Sequence, residues 1–200
     1  MSRGTPVSAA TAPDGMVAGL DLLQRALDYT RAALDTITCA DVDRPTPCAG
    51  WTLADLLAHM EDALDAFAEA AAGTVGLRSS APTPLEERVL ALQRKACGLL
   101  TSWLRASAPT VDVAGHPLPV DAIARIAALE IAVHGWDVRQ SVRRAARPLP
   151  EPLAAALLPT ALQVALSGDE RFAAPLPVDV DAPAGAHVLA LLGRRAGSRP

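Results

Sequence analysis

Aromatic residues are scarce in this 200-residue chain, since two Phe, one Tyr and three Trp make up only 3% of it. Ala, Leu and Val dominate instead, which favours closely packed helices over the aromatic and β-branched strands of a sandwich. The cysteines Cys39, Cys48 and Cys97 show no C-x-x-C spacing, so neither a disulfide framework nor a structural zinc knuckle is indicated. We therefore expect a mostly α-helical protein in a reducing cytoplasm.

An excess of positive charge and a long apolar run are also missing. The 18 basic and 22 acidic residues leave a formal net charge of -4, which argues against nucleic-acid binding or a polybasic membrane patch. Charged residues or His interrupt every apolar stretch before the roughly 18 to 20 residues that span a bilayer, and the N-terminus lacks a signal-peptide core. The expected partner is a small-molecule substrate, with no nucleic acid and no membrane, and the chain is expected to be a monomer or homodimer.

Half of the residues are apolar, and their periodicity predicts helices. Apolar residues recur at helical spacing over residues 16–38, 52–72, 84–107 and 121–144. These amphipathic helices are joined by loops of short to moderate length, so they predict an all-α four-helix bundle over residues 16–145.

Two further segments flank the predicted bundle. Residues 1–15 are expected to be a disordered lead. Residues 146–200 predict a short C-terminal helical extension that packs on the bundle, with one helix interrupted near Pro159 and a short final helix over residues 187–195. Residues 108–120, between the third and fourth helices, predict a loop with at most one short extended piece.

Glu130 and His134 stand four residues apart in the apolar fourth helix, within "ALEIAVHGWDV". Residues at this spacing share one helix face, so a carboxylate and an imidazole can point at one place. His59, in the apolar stripe of the second helix, is the candidate third donor. Two His and one carboxylate suit zinc and also Ni, Fe, Mn or Co, so the ligand types alone do not choose the metal, although zinc is the first expectation. Three protein ligands leave coordination positions open for a reactant.

Other interpretations remain open at this point. A Glu and a His at this spacing also occur by chance, and a lone His is often just a half-buried, hydrogen-bonded side chain. His116 and His187 are expected at the surface, and the Cys48 and Cys97 thiols are expected to be small buried residues instead of nucleophiles. No GxSxG, GxxxxGK[ST] or GxGxxG motif is present. This argues against a hydrolase with a nucleophilic serine, a nucleotide-binding protein and a dinucleotide-binding protein.

Two blocks resemble the DinB-like metal-binding family that includes the mycothiol-dependent maleylpyruvate isomerases. The first is "PTPCAGWTLADLLAHM" at residues 45–60, and the second is "EIAVHGWDV" at residues 130–138. The tail "RFAAPLPVDVDAPAGAHVLALLGRR" also resembles the short, single-domain branch of this family. The resemblance covers residues 16–195 and implies a DinB-like four-helix bundle.

The resemblance also implies roles for individual residues. It assigns the metal to one His of the second helix and an acid and a His of the fourth, here His59, Glu130 and His134. Four further matching residues are expected to line the pocket or to hydrogen-bond to the metal ligands: Trp51, Asp55, Trp136 and Asp137. Asp55 also fits a helix-start acid three positions after the candidate N-cap Thr52, and Asp137 fits a hydrogen-bond partner for a ligand histidine.

The activity implied by the resemblance uses mycothiol or another small thiol, which is deprotonated on the metal and attacks an electrophilic carbon to give an adduct or a cis/trans isomer. Only about 50 residues follow the fourth helix, fewer than in the two-domain isomerases, so maleylpyruvate is not the expected substrate. The rival interpretations are a small-molecule binding protein without thiol chemistry and a metal-dependent cyclase or hydrolase.

Overall fold

The computed structural model describes residues 12–72, 84–105, 110–113, 116–142, 148–168 and 171–195. Residues 1–11 of the predicted disordered lead therefore lie outside the described residues. The helices and strands are α1 (Ala12–Leu34), α2 (Leu53–Ala71), α3 (Leu85–Arg105), β1 (Thr110–Val113), β2 (His116–Pro119), α4 (Val120–Val142), α5 (Glu151–Ser167) and α6 (Ala184–Leu191). The first four helices correspond to the four predicted long helices, and α5 and α6 to the predicted extension.

Helix α4 is the most enclosed element of the fold, with every side chain from Ala127 to Arg139 buried. Helix α1 packs along it closely, and α2 and α5 also contact it. A Cβ added at Gly135 would lie only 3.1 Å from the Cα of Thr30, so a larger residue would push α1 and α4 apart. The Thr30 hydroxyl donates to the Ile131 carbonyl at 2.8 Å and ties the two helices together.

Helix α2 begins with a complete capping box. The Asp55 N–H donates to the Thr52 hydroxyl at 3.3 Å, and the Thr52 N–H donates to the Asp55 carboxylate at 2.9 Å. Two backbone donors at the start of the helix are thereby satisfied. The predicted N-cap at Thr52 is confirmed, and this start fixes the rotation of the helix that carries His59.

Helix α1 differs from its predicted limits of 16–38 at both ends, since it begins at Ala12 and ends at Leu34. A short 3₁₀ helix over Cys39–Asp41 follows it. The buried Asp41 carboxylate accepts hydrogen bonds from the N–H and the hydroxyl of Thr38 and pairs with Arg44 at 3.0 Å. At the helix end itself, the Thr36 hydroxyl donates to the Ala33 carbonyl at 2.6 Å, a local bond that competes with continuation of the helix.

Helix α5 is continuous through Pro159, so the predicted interruption is wrong. Pro159 and Ala155, whose carbonyl loses its usual partner, are both exposed, and water can satisfy that carbonyl. On the opposite face, buried residues recur at helical spacing and hold both halves against the fold: Leu153, Leu157, Ala161 and Val164. A proline on the outer face is therefore tolerated here.

The expected loop between α3 and α4 contains a hairpin instead of one extended piece. Strands β1 and β2 pair antiparallel, with Asp112 opposite Pro117 and Val111 opposite Leu118. Proline within a strand is compatible with an edge position, and both strands of a two-stranded sheet are edges. Among the described residues, no helix combines the length and the apolarity needed to cross a membrane.

Candidate metal centre

His59 lies on α2 two turns beyond the capped start, and its side chain is 31% exposed. Glu130 and His134 lie one turn apart on α4, and both are buried. His59 Nε2 is 3.3 Å from Glu130 Oε1, and the rings of His59 and His134 meet edge to face with centroids 4.9 Å apart. The structure thus brings the three residues proposed from the sequence to one place.

The donor set of this triad fits a transition metal. One ligand atom from each of His59, Glu130 and His134 lies within 4.8 Å of the other two. Two ligands at the usual metal distance in a tetrahedral site are about 3.4 Å apart, close to the 3.3 Å between His59 and Glu130. Two imidazoles and one carboxylate therefore need only small side-chain movements to share an ion.

A second layer of polar side chains lies behind His134. The Nδ1 atom of His134 is 3.1 Å from Asp137 Oδ2, and the same oxygen is 3.0 Å from the Arg194 guanidinium. An ionised carboxylate only accepts hydrogen bonds, so Nδ1 is the donor in this contact and Nε2 is the ring nitrogen left for a metal. Asp137 is fully buried, and Arg194 is only 6% exposed.

The opposite charges of Asp137 and Arg194 each favour the ionised form of the other. Burial by itself would raise the pKa of Asp137, but the hydrogen bond with His134 and the positive charge of Arg194 hold that pKa below its ordinary value. Burial would lower the pKa of Arg194, but the Asp137 charge raises it instead. Asp137 and Arg194 therefore remain an ionised pair at neutral pH.

Glu130 is kept ionised in a similar way. Burial would raise its pKa, while the hydrogen bond from His59 and attraction to His134 and Arg171 lower it below the ordinary value. The Arg171 guanidinium lies 3.2 Å from Glu130 Oε2, whereas His59 contacts Oε1. A buried, ionised carboxylate is the form that a metal ligand requires.

The other four expected site residues differ in their distance from the triad. Trp51 lies edge-on to His59 with ring centroids 5.0 Å apart, whereas Trp136 is buried in the core. Asp55 lies in the capping box, exposed, and its bonds with Thr52 lower its pKa. Of the four residues, Trp51 and Asp137 directly contact the triad in the described structure.

The sequence reasoning missed the contribution of the C-terminal extension. Arg171 contacts Glu130, Arg194 contacts Asp137, and the Phe172 ring stacks on His134 at 6.5 Å between centroids. All three residues lie in the tail segment that carries the family resemblance. The signal that could have revealed them is the placement of two arginines next to otherwise apolar stretches.

The cysteines and the histidines outside the triad differ in how exposed they are. Cys97 is exposed, contrary to expectation, and Cys48 is half-buried with its sulfur 3.4 Å from Asp137 and 3.3 Å from Arg194. Burial and the Asp137 charge raise the pKa of Cys48 to about 11, so its thiol is protonated. His116 is exposed as expected, and His187 is half-buried.

Cys48, His134 and Asp137 also form a group of ligand-type atoms within 4.8 Å of one another. Asp137 is already occupied by Arg194, however, and Cys48 is protonated. A metal there would compete with two hydrogen-bonding partners and would share His134 with the first triad. The triad of His59, Glu130 and His134 is therefore the better candidate metal site.

A family model for the mycothiol maleylpyruvate isomerase N-terminal domain matches residues 23–139. The chain belongs to this family. The matched range of the mycothiol maleylpyruvate isomerase N-terminal domain contains α2, most of α4 and all three residues of the triad. Comparison with curated proteins finds no significant match.

Two solved structures resemble the fold of this family member. A crystal structure of the mycothiol-dependent maleylpyruvate isomerase matches with a TM-score of 0.61 and 18% identity, over 94% of this chain and 93% of the other. A histidine-to-alanine mutant of the isomerase matches with a TM-score of 0.56 and 18% identity, over 84% of this chain and 77% of the other. The predicted all-α, DinB-like fold is thereby confirmed.

The first of these alignments covers 93% of the isomerase chain, so little of that chain is without a counterpart here.

Proposed function

We propose that this protein is a metal-dependent enzyme that joins a small thiol to an electrophilic organic substrate, as a transferase or an isomerase. The observation that carries the proposal is the convergence of His59, Glu130 and His134 at one place in a member of the mycothiol maleylpyruvate isomerase N-terminal domain family. Mycothiol is the first candidate thiol because the family carries its name.

The residues proposed to hold the metal are His59, Glu130 and His134. Zinc is the first candidate, and Ni, Fe, Mn and Co accept the same ligand types. A divalent metal bound there would deprotonate a coordinating thiol near neutral pH, because coordination strongly lowers a thiol pKa. Three protein ligands would leave room for that reactant.

The surrounding residues would hold the ligand side chains in the protonation state and orientation that metal binding needs. Asp137 holds the proton on His134 Nδ1, and Arg194 neutralises Asp137 so that the carboxylate does not withdraw that proton. Arg171 offsets the charge of Glu130. The rings of Trp51 and Phe172 lie beside His59 and His134, with centroids 5.0 Å and 6.5 Å apart.

The proposed reaction is the addition of a thiol S–H across an activated carbon–carbon double bond. A sulfur–carbon bond forms at the electrophilic carbon, and the thiol proton ends on the neighbouring carbon. The product is a thioether adduct. If the intermediate rotates about the new single bond before the thiol leaves, the product is the cis/trans isomer of the substrate.

The proposed location is a reducing cytoplasm. Cys39 and Cys97 are exposed free thiols, and neither has a disulfide partner in the part of the chain that the structure describes. A small-thiol cofactor also needs reducing conditions to stay in its thiol form. The proposed partner is therefore a small molecule of the cell interior.

A kinetic assay with mycothiol and a set of α,β-unsaturated carbonyl compounds tests the proposal. We expect loss of the electrophile that depends on mycothiol, stops after treatment with a chelator and is absent in His59→Ala. The matched control His116→Ala changes an exposed histidine outside the triad and should retain full activity. Turnover that needs the metal but no thiol would contradict the proposal and favour a hydrolase or cyclase.

A further inference from the structure

A cavity of about 350 Å³ lies inside the bundle between α1, α2, α3 and α4. Its inner end contains Glu130 and His134, two members of the triad. Its outer end lies between α1 and α3, where Asp28, Arg31 and Cys97 line it and are exposed to solvent. The cavity therefore connects the candidate metal centre with the surface between α1 and α3.

The walls between these two ends are apolar. The buried aliphatic side chains that line them come from all four helices and are Leu27, Leu34, Met60, Leu64, Leu92 and Ile131. Thr30 also lines the cavity, but its hydroxyl already donates to the Ile131 carbonyl at 2.8 Å. A polar occupant would therefore lose its hydration along this wall without gaining fixed partners, whereas an apolar occupant loses nothing.

The size of the cavity limits the occupant. At roughly 30 Å³ for each water-sized group, the share of one molecule in liquid water, the space holds on the order of ten methylene-sized groups. An apolar cavity of this kind gains affinity mainly from the area that it removes from water. A medium-length aliphatic chain fits both the volume and the chemistry of the walls.

We propose that the cavity binds an aliphatic chain of about eight carbons that belongs to the electrophilic substrate. This inference rests on the proposed function, because it places the electrophilic carbon at the Glu130 and His134 end. The chain then extends towards the opening between α1 and α3. The substrate class is an α,β-unsaturated carbonyl compound with an unbranched aliphatic tail.

The chemical step balances without an oxidant or a reductant. The thiol sulfur forms a bond to the β-carbon, and the π electron pair moves towards the carbonyl oxygen. The thiol proton is then transferred to the α-carbon, and the carbonyl group is restored. The tail takes no part in the bond changes, so its contribution is binding only.

A binding experiment without thiol separates this inference from the proposed function. The neutral fluorophore N-phenyl-1-naphthylamine reports on apolar sites, and butanol, hexanol and octanol compete with it. Each methylene that an alcohol buries should increase its affinity, measured by displacement of the fluorophore, by up to about fourfold. Ala96→Phe, which fills the cavity from α3, should abolish this gain, whereas Ala32→Phe on the exposed face of α1 should leave it unchanged.

A second experiment follows the reaction with 2-butenal, 2-hexenal and 2-octenal in the presence of mycothiol. The kcat/KM value should rise with chain length in the wild-type protein and in Ala32→Phe but stay flat in Ala96→Phe. If circular dichroism shows that Ala96→Phe does not fold, the smaller substitution Ala96→Leu replaces it. The rise of kcat/KM with chain length should then be smaller than in the wild type.

The outcomes distinguish the two proposals. Chain-length-dependent binding without thiol turnover would support the cavity and overturn the proposed function. Thiol turnover with no dependence on chain length, together with alcohol competition that Ala96→Phe leaves intact, would overturn the inference and leave the proposed function standing. Absence of fluorophore binding to the folded wild-type protein would also overturn the inference.

Discussion

His134 Nδ1 lies 3.1 Å from Asp137 Oδ2, within one turn of a helix that is buried on all sides. The contact fixes the proton on the nitrogen that faces away from the triad. It also links the candidate metal centre to the C-terminal extension, because the same Asp137 oxygen is 3.0 Å from Arg194. The stability of the fold and the state of the proposed metal ligand therefore depend on one carboxylate.

Arg194→Met should destabilise the fold by about 3–5 kcal/mol, because it removes the guanidinium that neutralises the buried Asp137 charge. Urea unfolding followed by circular dichroism measures the change. Arg195→Met is the matched control, since Arg195 is exposed, and it should shift the free energy of unfolding by less than about 0.5 kcal/mol. Equal stability of the two variants would show that the buried ion pair contributes little.

Asp137→Asn should weaken metal binding by about tenfold to a hundredfold, because partners of ligand histidines contribute at this level. The amide can present its NH₂ group to Nδ1 and so favour the wrong tautomer of His134. Competition with a coloured chelator measures the affinity. Asp43→Asn removes an exposed carboxylate and should bind metal as the wild type does. An unchanged affinity in Asp137→Asn would exclude a role for this carboxylate in orienting His134.

Gly135→Ala should cost about 1–3 kcal/mol of stability, the usual effect of overpacking a core. The added Cβ would meet Thr30 on α1. The movement of α4 away from α1 would displace the neighbouring His134. The matched control is Gly98→Ala on the exposed face of α3, where a Cβ would have no neighbour within 4 Å. That variant should gain up to about 1 kcal/mol from better helix propensity. Thermal unfolding of both variants gives the comparison, and a stable Gly135→Ala would refute the tight contact.

Cys48 should react slowly with iodoacetamide. Burial, followed by the nearby Asp137 charge, raises its pKa to about 11, and the thiol form is unreactive. Cys97 is exposed and provides the internal comparison. Mass spectrometry of alkylated peptides at pH 8 should show modification of Cys97 well before Cys48, and the Cys48 rate should rise as the pH approaches its pKa. Equal rates at pH 8 would contradict the account of Cys48 as a buried, protonated group.

The helices could be predicted because they depend on local periodicity, whereas the resemblance to the family assigned His59 to the same site as Glu130 and His134. The apolar stripe of α2 places His59 inwards, and a spacing of four residues places Glu130 and His134 on one face of α4. The start of α2 was also predictable, since a Thr followed three residues later by an acid is a local signal. These features need no knowledge of the tertiary structure.

The parts that could not be predicted depend on contacts between distant segments. Arg194 meets Asp137 across 57 positions of the chain, and no local pattern specifies that meeting. Pro159 predicts an interruption by its own chemistry, but the buried face of α5 overrides that preference. The prolines of β2 argue against a strand, yet both strands of the hairpin are edges.

The most direct test of the account is elemental analysis by plasma mass spectrometry of protein purified without chelator, beside His134→Ala and the control His116→Ala. The triad predicts about one equivalent of zinc or another transition metal in the wild type and in His116→Ala. It predicts loss of most of this metal in His134→Ala, with the helix content retained. Full metal content in a folded His134→Ala variant, or no metal in the wild type even after reconstitution, would contradict the assignment of His59, Glu130 and His134 as the metal site.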